Sequence, residues 1–580
     1  MMMKKTKLEL TWPGKEERPK LEPRILIEHP DKSHHAATRQ EGDLFDNMLI
    51  KGDNLLALRA LEAEYAGKVK CIYIDPPFNT GAAFEHYDDG IEHSIWLSLM
   101  RERLEVLRRL LAPNGFLCAH IDDSEGHYLK VVLDEVFGRG NYLTTFYVQV
   151  RYPQKTLKQD MDFHKEVEMV HIYRKEYGAR PRLNETAWSD EKYCFYVREL
   201  GEPERITLGG KSVDIFRSGQ YELLKGEPSS DGLKEIWATG TILDGNSSGR
   251  FFRDYLTGRA SSDGLGALYK VYGIGDDNLD YRYFSGPKRA TATKGKYYQG
   301  IPQSKALGAT SVQKSPIENF YDLAGSFGNC RREGGVEFRS GKKPEKLLEM
   351  VLRHFSEPGD LVLDSFAGSG TTGAVAHKMR RRWIMIEIGD HADTHIAKRL
   401  ESVVNGADDT GVSEHVRWRG GGGFRYFTLA PSLLEKDRWG NWVIAGEYNA
   451  AMLAEAMCKH LGFTYAPSQD EAEYWRHGQS SETDFLYVTT QSLTHEALRL
   501  LAEEVGPHRT LMICAKAFSG NLDVFPNLTC RKIPSSILTK CEWGRDDYSL
   551  NVAALPDAEP EPGDSAGPLF GAVTEGNFNG

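Results

Sequence analysis

Two blocks of alternating apolar strands and amphipathic helices constrain the fold of this chain more than any other feature. The first begins near Asn47, where "MLIKG" indicates a short strand and "NLLALRALEAEY" a helix, and it continues through "VKCIYI", a long helix, "FLCAHID" and a further helix. The second block covers residues 342–390. Such alternation is typical of a parallel sheet with helices on both faces, so we predict an α/β fold.

The segment between the two blocks divides the chain into domains. Residues 150–335 are rich in Gly, Ser and Tyr and show no long helical pattern, which predicts an inserted domain of irregular α+β character. A length of 580 residues suggests about two to four domains. The predicted order is an N-terminal arm (1–45), the first half of the sheet domain (46–149), the insertion (150–335), the second half of the sheet domain (336–425), a small C-terminal α/β domain (426–555) and an acidic disordered tail (556–580).

Composition argues against several classes of protein. The longest apolar runs are far short of a membrane span and the N-terminus has no apolar signal core, so we expect a cytoplasmic protein without membrane attachment. The eight cysteines form no CxxC pair, which indicates reduced thiols rather than structural zinc or a disulfide framework. A net charge of -11 argues against a simple nucleic-acid-coating protein.

A glycine-rich turn follows the strand "LVLD" of the second block. In "LVLDSFAGSGTTG", Gly368, Gly370 and Gly373 allow a ligand to approach the backbone at the start of a helix. A nucleoside-triphosphate loop requires Lys and Ser/Thr after its last glycine, whereas here Ala and Val follow. An acidic residue at the end of the next strand, Glu387, suits the hydroxyls of a ribose. The pattern therefore favours a nucleoside cofactor over a triphosphate.

The stretch "CIYIDPPFNTG" ends a strand of the first block on a carboxylate. Ligands of open α/β sheets lie beyond the carboxyl ends of the strands, where Asp75 stands. Pro76 and Pro77 stiffen the loop and leave carbonyl acceptors, and Phe78 offers a flat ring. An acid, a carbonyl and a ring suit the exocyclic amine of a flipped nucleobase. The alternative is a proline-rich turn with a capping aspartate.

These two motifs resemble those of the DNA amino-methyltransferases, with "DPPF" as the catalytic and "FAGSGTTG" as the cofactor motif. Their order, with a large insertion between them, is that of the permuted beta group, whose target-recognition domain lies in the insertion. The stretches "MLIKGDNLLAL", "IYIDPPFNTG", "HIDDSEGHYLKVVLDEVFG" and "HKEVEMVHIYRKE" are similar to the Mod subunits of type III restriction–modification systems. The resemblance covers roughly 45–175 and 335–400.

The resemblance implies a site-specific methyltransferase that uses S-adenosylmethionine and holds no metal. The implied catalytic residues are Asp75, Pro76, Pro77 and Phe78, and the implied cofactor-binding residues are Asp53 at the adenine, Glu387 at the ribose, Lys343 and Pro344 near the methionine, and Asp75, Asp364, Phe366, Gly368, Gly370 and Thr371. Phe78 stands where many members carry Tyr, which keeps stacking but removes a hydroxyl. Because cytosine-N4 enzymes usually have Ser at position 75, the aspartate points to adenine N6.

The segment 281–314 is the predicted DNA-binding region, because its seven Lys/Arg are accompanied by no Asp/Glu. The candidate DNA-binding residues are Arg282, Lys288, Arg289, Lys294, Lys296, Tyr297 and Tyr298. The alternative is a solvated loop whose tyrosines face the core.

The resemblance further implies duplex DNA as substrate, a homodimer and a separate restriction or helicase subunit. A helicase or nuclease activity of this chain itself is not indicated, because neither a triphosphate loop nor a nuclease cluster is evident. A non-catalytic DNA-recognition subunit for a nuclease partner, a cytosine-N4 enzyme and an RNA-modifying enzyme remain alternatives.

Overall fold

The chain forms two compact units in the computed structural model, which describes residues 9–79, 93–153, 163–238, 247–289, 295–303, 312–338, 341–533 and 541–548. The first unit combines Met1–Arg182 with Glu318–Gly580, and the second consists of Leu183–Ile317. Within the described ranges, no helix has both the length and the apolar character needed to cross a bilayer.

The N-terminal part of the first unit contains seven strands: β1 (Leu26–Glu28), β2 (His34–His35), β3 (Asn47–Lys51), β4 (Val69–Ile74), β5 (Leu111–Ile121), β6 (Tyr142–Gln149) and β7 (Val167–Arg174). Its helices are Asn54–Tyr65, His93–Leu110 and Gly126–Leu133, the last continued by the short turns Asp134–Gly138 and Arg139–Asn141. The helix Asn54–Tyr65 begins where the Asp53 carboxylate accepts a hydrogen bond from the Leu56 amide, as expected of an N-cap. Its leucines are buried against the sheet.

The second unit is mainly β-structure. Its strands are β8 (Asn184–Ala187), β9 (Tyr193–Glu199), β10 (Glu204–Leu208), β11 (Lys211–Phe216), β12 (Tyr221–Lys225), β13 (Leu233–Ala238), β14 (Leu268–Tyr272), β15 (Tyr281–Ser285), β16 (Gly295–Gln299) and β17 (Val312–Ser315). Eight of them form one antiparallel sheet in the order β10-β11-β14-β15-β16-β13-β9-β12, and β8 pairs with β17. The short helical segments Ser247–Phe251, Phe252–Leu256 and Ala260–Asp263 complete the unit.

The chain then returns to the first unit with β18 (Phe320–Asp322), β19 (Leu361–Asp364), β20 (Arg382–Glu387) and β21 (Gly423–Leu429). The helical segments here are Ala324–Asn329, Cys330–Gly335, Glu345–Phe355, Thr371–Lys378, Ala392–Ile396 and Ala397–Val404. All these strands join one sheet in the order β1-β21-β3-β20-β19-β4-β5-β7-β6-β18, with β2 paired to β21. Its central strands from β21 to β5 run parallel, which confirms the predicted α/β fold.

The C-terminal part of the first unit has its own sheet, in the order β24-β25-β26-β28-β30. The strands are β22 (Leu434–Lys436), β23 (Trp442–Ile444), β24 (Thr464–Tyr465), β25 (Gly478–Gln479), β26 (Asp484–Val488), β27 (Ser492–Leu493), β28 (Thr510–Ala515), β29 (Ala517–Phe518) and β30 (Leu528–Lys532), with helices Ala450–Leu461, Glu471–Glu473 and His495–Val505. The predicted tail, 556–580, lies outside the described residues.

The observed units differ from the predicted boundaries at the insertion and at the N-terminal arm, and the predicted C-terminal domain, 426–555, falls in the same compact unit as the main sheet. The compact insertion is shorter than 150–335, because β7 pairs with both β5 and β6 in the main sheet. The predicted N-terminal arm also contributes to the sheet, since β1 and β2 both pair with β21. Pairing between strands that are distant in sequence explains both the shorter insertion and the contribution of the N-terminal arm.

Candidate active site

The ends of two strands that are distant in sequence lie side by side in the main sheet. Strands β4 and β19 are parallel neighbours, with Cys71 opposite Val362 and Ile72 opposite Leu363. Extending this register by three residues places Asp75 level with Phe366, at the start of the glycine-rich turn. The carboxylate and the turn therefore lie together beyond the carboxyl ends of the strands, which is where open α/β folds bind ligands.

The loop that follows β4 is held by contacts to the first unit's core. The Pro77 carbonyl accepts a hydrogen bond of 2.9 Å from the Trp96 indole nitrogen. Asn79 adopts a left-handed conformation (φ 56°), and its side-chain amide donates to Glu125 at 2.7 Å. Phe78 is partly buried against the hydrophobic core. These contacts fix the direction in which Asp75 and Phe78 project.

The Asp75 carboxylate has one engaged oxygen and one free oxygen. Its Oδ2 lies 3.0 Å from the Lys343 ammonium. Its Oδ1 is buried and has no hydrogen-bond partner within the described part of the chain. A buried acceptor without a donor is costly, so this oxygen indicates a site for a donor supplied by a ligand.

Lys343 links the catalytic loop to the glycine-rich turn. Its ammonium lies over the Phe78 ring at 4.5 Å, in addition to the contact with Asp75, and its carbonyl accepts a hydrogen bond of 3.1 Å from the Thr371 hydroxyl. Burial lowers the pKa of Lys343, but the Asp75 and Glu168 carboxylates outweigh this effect and raise the pKa above its usual value. The next residue, Pro344, precedes the helix Glu345–Phe355 as its N-cap.

The turn itself requires glycine at two positions. Gly368 and Gly370 both have positive φ, at 55° and 76°, which side chains rarely adopt. A Cβ on Gly368 would find only the Phe366 carbonyl within 4 Å, at 3.9 Å, so open space lies beside this residue. A Cβ on Gly370 would lie 2.8 Å from Ile396. The turn is therefore packed on one side and open on the other.

Two acidic residues support the turn from below. Glu387, at the end of β20, accepts hydrogen bonds from the Gly368 amide at 2.8 Å and the Gly389 amide at 2.9 Å. Asp364 accepts from the Phe366 amide and the Thr372 hydroxyl. Burial, reinforced by the charges of Asp75 and Glu387, raises the pKa of Asp364 to about 7 despite those hydrogen bonds.

The gathered carboxylates fit a cationic sulfonium cofactor. Asp364 interacts electrostatically with both Asp75 and Glu387. Glu387 also lies 3.1 Å from the His391 ring, and because a carboxylate oxygen can accept more than one hydrogen bond, its contact with ribose hydroxyls stays a prediction. The turn amides and the helix N-terminus at Thr371 favour the carboxylate of an amino acid. The donor set thus suits S-adenosylmethionine.

Asp53, the predicted contact to the cofactor's adenine, is already fully engaged. Its Oδ1 accepts from the Leu56 amide at 3.0 Å, and its Oδ2 accepts from Arg103 at 3.3 Å and the Tyr548 amide at 3.1 Å. Only 1% of the residue is exposed. The structure gives this carboxylate a capping and ion-pairing role, and its contact with adenine stays a prediction.

A row of polar side chains behind Asp75 was not identified from the sequence. Tyr73 contacts His120 through its hydroxyl and the ring Nδ1 at 2.7 Å, and the His120 Nε2 lies 2.8 Å from Glu168. Glu168 in turn lies 3.8 Å from the Lys343 ammonium. The stretches "HIDD" and "HKEVEMVHIYRKE" contain two of these residues, but only the pairing of β5 with β7 brings them together.

The predicted DNA-binding residues have very different environments in the second unit. Arg282, Tyr297 and Tyr298 are buried, with Arg282 donating to Asp277 at 2.8 Å, which argues against the predicted contacts with DNA. The reason is that β15 and β16 are central strands, so their side chains pack in the core. Lys288 and Arg289 are exposed. Lys296 pairs with Glu235 at 2.6 Å beside the exposed Trp237, and Lys294 lies outside the described residues.

Comparison with known proteins matches the two motif regions together. A family model described as DNA methylase matches residues 69–398. The chain is 32% identical over 422 residues to a probable type III restriction–modification enzyme HindVI Mod subunit from Haemophilus influenzae, a match that covers 67% of this chain and 55% of that protein. It is 28% identical over 388 residues to the type III StyLTI Mod subunit of Salmonella typhimurium, covering 60% and 52%.

A third relative comes from another type of system. The chain is 25% identical over 403 residues to the type II methyltransferase M.EcaI of Enterobacter cloacae, with 67% of this chain and 77% of that protein covered. The chain therefore spans about half the length of the Mod subunits that it matches.

Proposed function

The chain belongs to the DNA methylase family, and from this premise we propose that it transfers a methyl group from S-adenosylmethionine to N6 of an adenine flipped out of duplex DNA. The observation that carries the proposal is the Asp75 carboxylate beside the glycine-rich turn, whose buried Oδ1 has no hydrogen-bond partner among the residues that the structure describes. The similarity to Mod subunits supports a role as the modification subunit of a type III-like restriction–modification or phage-defence system.

The cofactor would be held by the second block of the sheet. The turn Phe366–Thr371 would take the methionine part, Glu387 the ribose, and Lys343 and Pro344 would lie near the methionine. When bound, S-adenosylmethionine supplies an electrophilic methyl carbon on a positively charged sulfur. Asp75, Asp364 and Glu387 would oppose that positive charge, which favours binding of the cofactor.

The catalytic loop would raise the reactivity of the adenine amine. The amine is a poor nucleophile because its lone pair is delocalised into the ring. A hydrogen bond from the amine to Asp75 Oδ1, and a second to the Pro76 carbonyl, would favour a tetrahedral nitrogen with a localised lone pair. Phe78 would hold the base by stacking. Positioning and electrostatics would then supply most of the acceleration. As the N–C bond forms and the bond between the methyl carbon and sulfur breaks, Asp75 would accept the proton that the amine loses.

The same proposal extends to the partners of the chain. Duplex DNA is the substrate, two copies of the chain form the working assembly, and a separate subunit supplies any cleavage or ATP hydrolysis in the cytoplasm. Lys288 and Arg289, together with Lys294 and Lys296, are proposed phosphate contacts.

The test is methylation by the full-length chain. Unmethylated duplex DNA is incubated with tritiated S-adenosylmethionine and the chain, and DNA from cells that express the chain is sequenced by a method that reads modified bases. We expect N6-methyladenine within one short sequence. N4-methylcytosine would support the cytosine-N4 alternative, whereas binding to one sequence without any methylation would support the non-catalytic recognition subunit and contradict the proposal.

A further inference from the structure

Four buried or partly buried side chains form a series of contacts that ends at the Asp75 carboxylate. Tyr73 and His120 lie on neighbouring strands β4 and β5, Glu168 lies on β7, and Lys343 precedes the helix Glu345–Phe355. The contacts run from the Tyr73 hydroxyl to His120 (2.7 Å), from His120 to Glu168 (2.8 Å), from Glu168 to Lys343 (3.8 Å), and from Lys343 to Asp75 (3.0 Å).

The surroundings of Glu168 hold it as an anion. Burial alone would raise the pKa of Glu168, yet Lys343 and His120 lower it to about 2. The His120 Nε2 lies 2.8 Å from the carboxylate, and the other nitrogen of the ring contacts the Tyr73 hydroxyl. Burial raises the pKa of Tyr73 well above its usual value, so this hydroxyl remains protonated. Glu168 is therefore a carboxylate anion between the His120 ring and the Lys343 ammonium.

Lys343 thus lies between two carboxylates. An ammonium facing a single carboxylate can contact both of its oxygens, which would engage Asp75 Oδ1 as well as Oδ2. The observed ammonium lies on the Oδ2 side, toward Glu168, and Oδ1 has no hydrogen-bond partner among the described residues. The second carboxylate accounts for this one-sided arrangement.

On the basis of the proposed function, we propose that Glu168, oriented by His120 and Tyr73, is a positioning residue that holds Lys343 on one side of Asp75 and so keeps Asp75 Oδ1 available to the target amine. Glu168 itself contacts neither the base nor the cofactor in this proposal. It acts through Lys343, and its effect therefore falls on the methyl-transfer step rather than on binding.

Among the described residues, two further groups interact with Lys343 or Glu168, and neither carries a negative charge. Cys330 faces Lys343, but burial raises the pKa of its thiol, which stays neutral and donates to the Lys342 carbonyl. Arg151 is the other cation that faces Glu168, and it is exposed. Within the described part of the chain, Asp75 and Glu168 are the two carboxylates that oppose the effect of burial on the Lys343 ammonium, so removing the charge of Glu168 leaves this task to Asp75.

The experiment compares Glu168→Gln with the wild type in single-turnover methyl transfer across pH 6.5–9.5. We expect a fall of about 10- to 100-fold in the rate constant at pH 7.5, because the reacting groups are misaligned. The dissociation constants for S-adenosylmethionine and duplex DNA should stay within about threefold of the wild type, since binding contacts are unchanged. The alkaline loss of rate should begin at a lower pH than in the wild type, because Lys343 loses its proton more readily without Glu168.

Two further variants separate positioning from a purely structural role. Glu168→Asp keeps the negative charge, so its loss of rate at high pH should begin near the pH found for the wild type. Tyr73→Phe removes the hydroxyl that contacts His120 and should lower the rate constant about threefold to tenfold without weakening binding. The matched control is Glu166→Gln, because Glu166 lies two residues earlier, is 31% exposed and contacts His164 instead. It should behave as the wild type.

The outcomes distinguish this inference from the proposed function. If the wild type transfers no methyl group, the proposed function fails. If the wild type is active and Glu168→Gln matches it in both rate constant and pH profile, the positioning role is overturned. Should Glu168→Gln fail to fold in a thermal melt, Tyr73→Phe decides: a slower transfer with intact binding supports the role, and an unchanged rate constant overturns it.

Discussion

At the scale of single residues, the site depends on how a few buried charges are paired. Asp75 shares Lys343 with Glu168, whereas Asp53 is engaged by Arg103 and two backbone amides. Both aspartates were predicted to belong to the site, but only Asp75 keeps a buried oxygen without a partner within the described residues. An aspartate with an unpaired oxygen can act on a ligand, and a saturated one supports the fold.

Replacing Asp75 by Asn or Ala should remove methyl transfer. We expect the single-turnover rate constant to fall at least about 10³-fold, because the amide offers an uncharged, weaker acceptor and alanine offers none. Duplex DNA binding, measured by fluorescence anisotropy, should change little, and S-adenosylmethionine binding, measured by calorimetry, should weaken far less than the rate constant falls, because only one of the three carboxylates that oppose the sulfonium charge is lost. Asp123→Asn is a suitable control, since Asp123 is an exposed acid that pairs with Lys165. Normal turnover by Asp75→Ala would refute the catalytic assignment.

Asp364 should make the ligand-free protein less stable as the pH rises. Its pKa is about 7 in the folded protein and 3.8 in its ordinary state, so the folded protein binds more protons between these values. The free energy of unfolding therefore falls through this window, by up to about 4 kcal/mol in total. Thermal melts from pH 4 to pH 8 should show a smaller decline for Asp364→Asn than for the wild type.

The control for this pH dependence is Asp360→Asn. Asp360 precedes the same strand and accepts a hydrogen bond from the Glu357 amide, away from the site. This variant should retain the wild-type decline. An Asp364→Asn protein whose melting temperature changes with pH as the wild type's does would contradict the raised pKa of Asp364.

At the scale of elements, the arrangement of β4 and β19 places the catalytic loop beside the cofactor turn. The turn Phe366–Thr371 is built on positive-φ glycines, one facing open space and one packed against Ile396. The helix that follows, Thr371–Lys378, directs its N-terminus toward the turn. The elements therefore provide both the room and the polarity that the proposed cofactor needs.

Gly368→Ala should weaken cofactor binding more than it weakens the fold. The positive φ of Gly368 would cost about 1–2 kcal/mol with alanine, and the added methyl would project into the space left for the cofactor. Gly359→Ala is a matched control, because Gly359 also has positive φ and no atom within 4 Å of an added Cβ. Both variants should lose similar thermal stability, while calorimetry should show weaker S-adenosylmethionine binding only for Gly368→Ala. Equal affinities would argue against the turn as the cofactor site.

The strands that carry the motifs could be predicted from the sequence alone. Their pairing with strands that are distant in sequence could not. "VKCIYI", "LVLD" and "RRWIMIE" became β4, β19 and β20, because continuous apolar runs are typical of buried parallel strands. The stretch "VEMVHIYR" also has a strand pattern, but its place in the main sheet depends on pairing with β5 and β6. The contact of Glu168 with Lys343 depends on the same pairing and could not be predicted locally.

The predicted DNA-binding segment, 281–314, shows that the exposure of charged side chains is also difficult to predict from the sequence. Its basic and aromatic residues predicted an exposed strip, yet β15 and β16 are central strands of the second unit. Arg282 finds a buried partner in Asp277, only five residues earlier. Composition reports how many charges a segment carries, whereas burial depends on which strands flank it.

At the scale of the whole molecule, the two compact units support a division of labour that can be tested. Lys288→Ala/Arg289→Ala in the second unit should weaken binding to duplex DNA, because two exposed cations that can neutralise phosphates are removed. The slope of log K against log salt should become shallower by about 2. S-adenosylmethionine binding should not change. Lys398→Ala, at an exposed lysine of the first unit, serves as the control, and unchanged DNA affinity in the double variant would exclude these residues as phosphate contacts.

The second unit leaves the chain after Arg182 and returns before Glu318, and every strand of the main sheet lies outside that interval. The ladder that joins β4 to β19 is therefore continuous without it. Replacing the interval 183–317 by another would therefore leave the described strands of the main sheet in place. Under the proposed division of labour, a lineage could acquire a new target sequence in one step, and any cleavage partner would acquire that sequence with it.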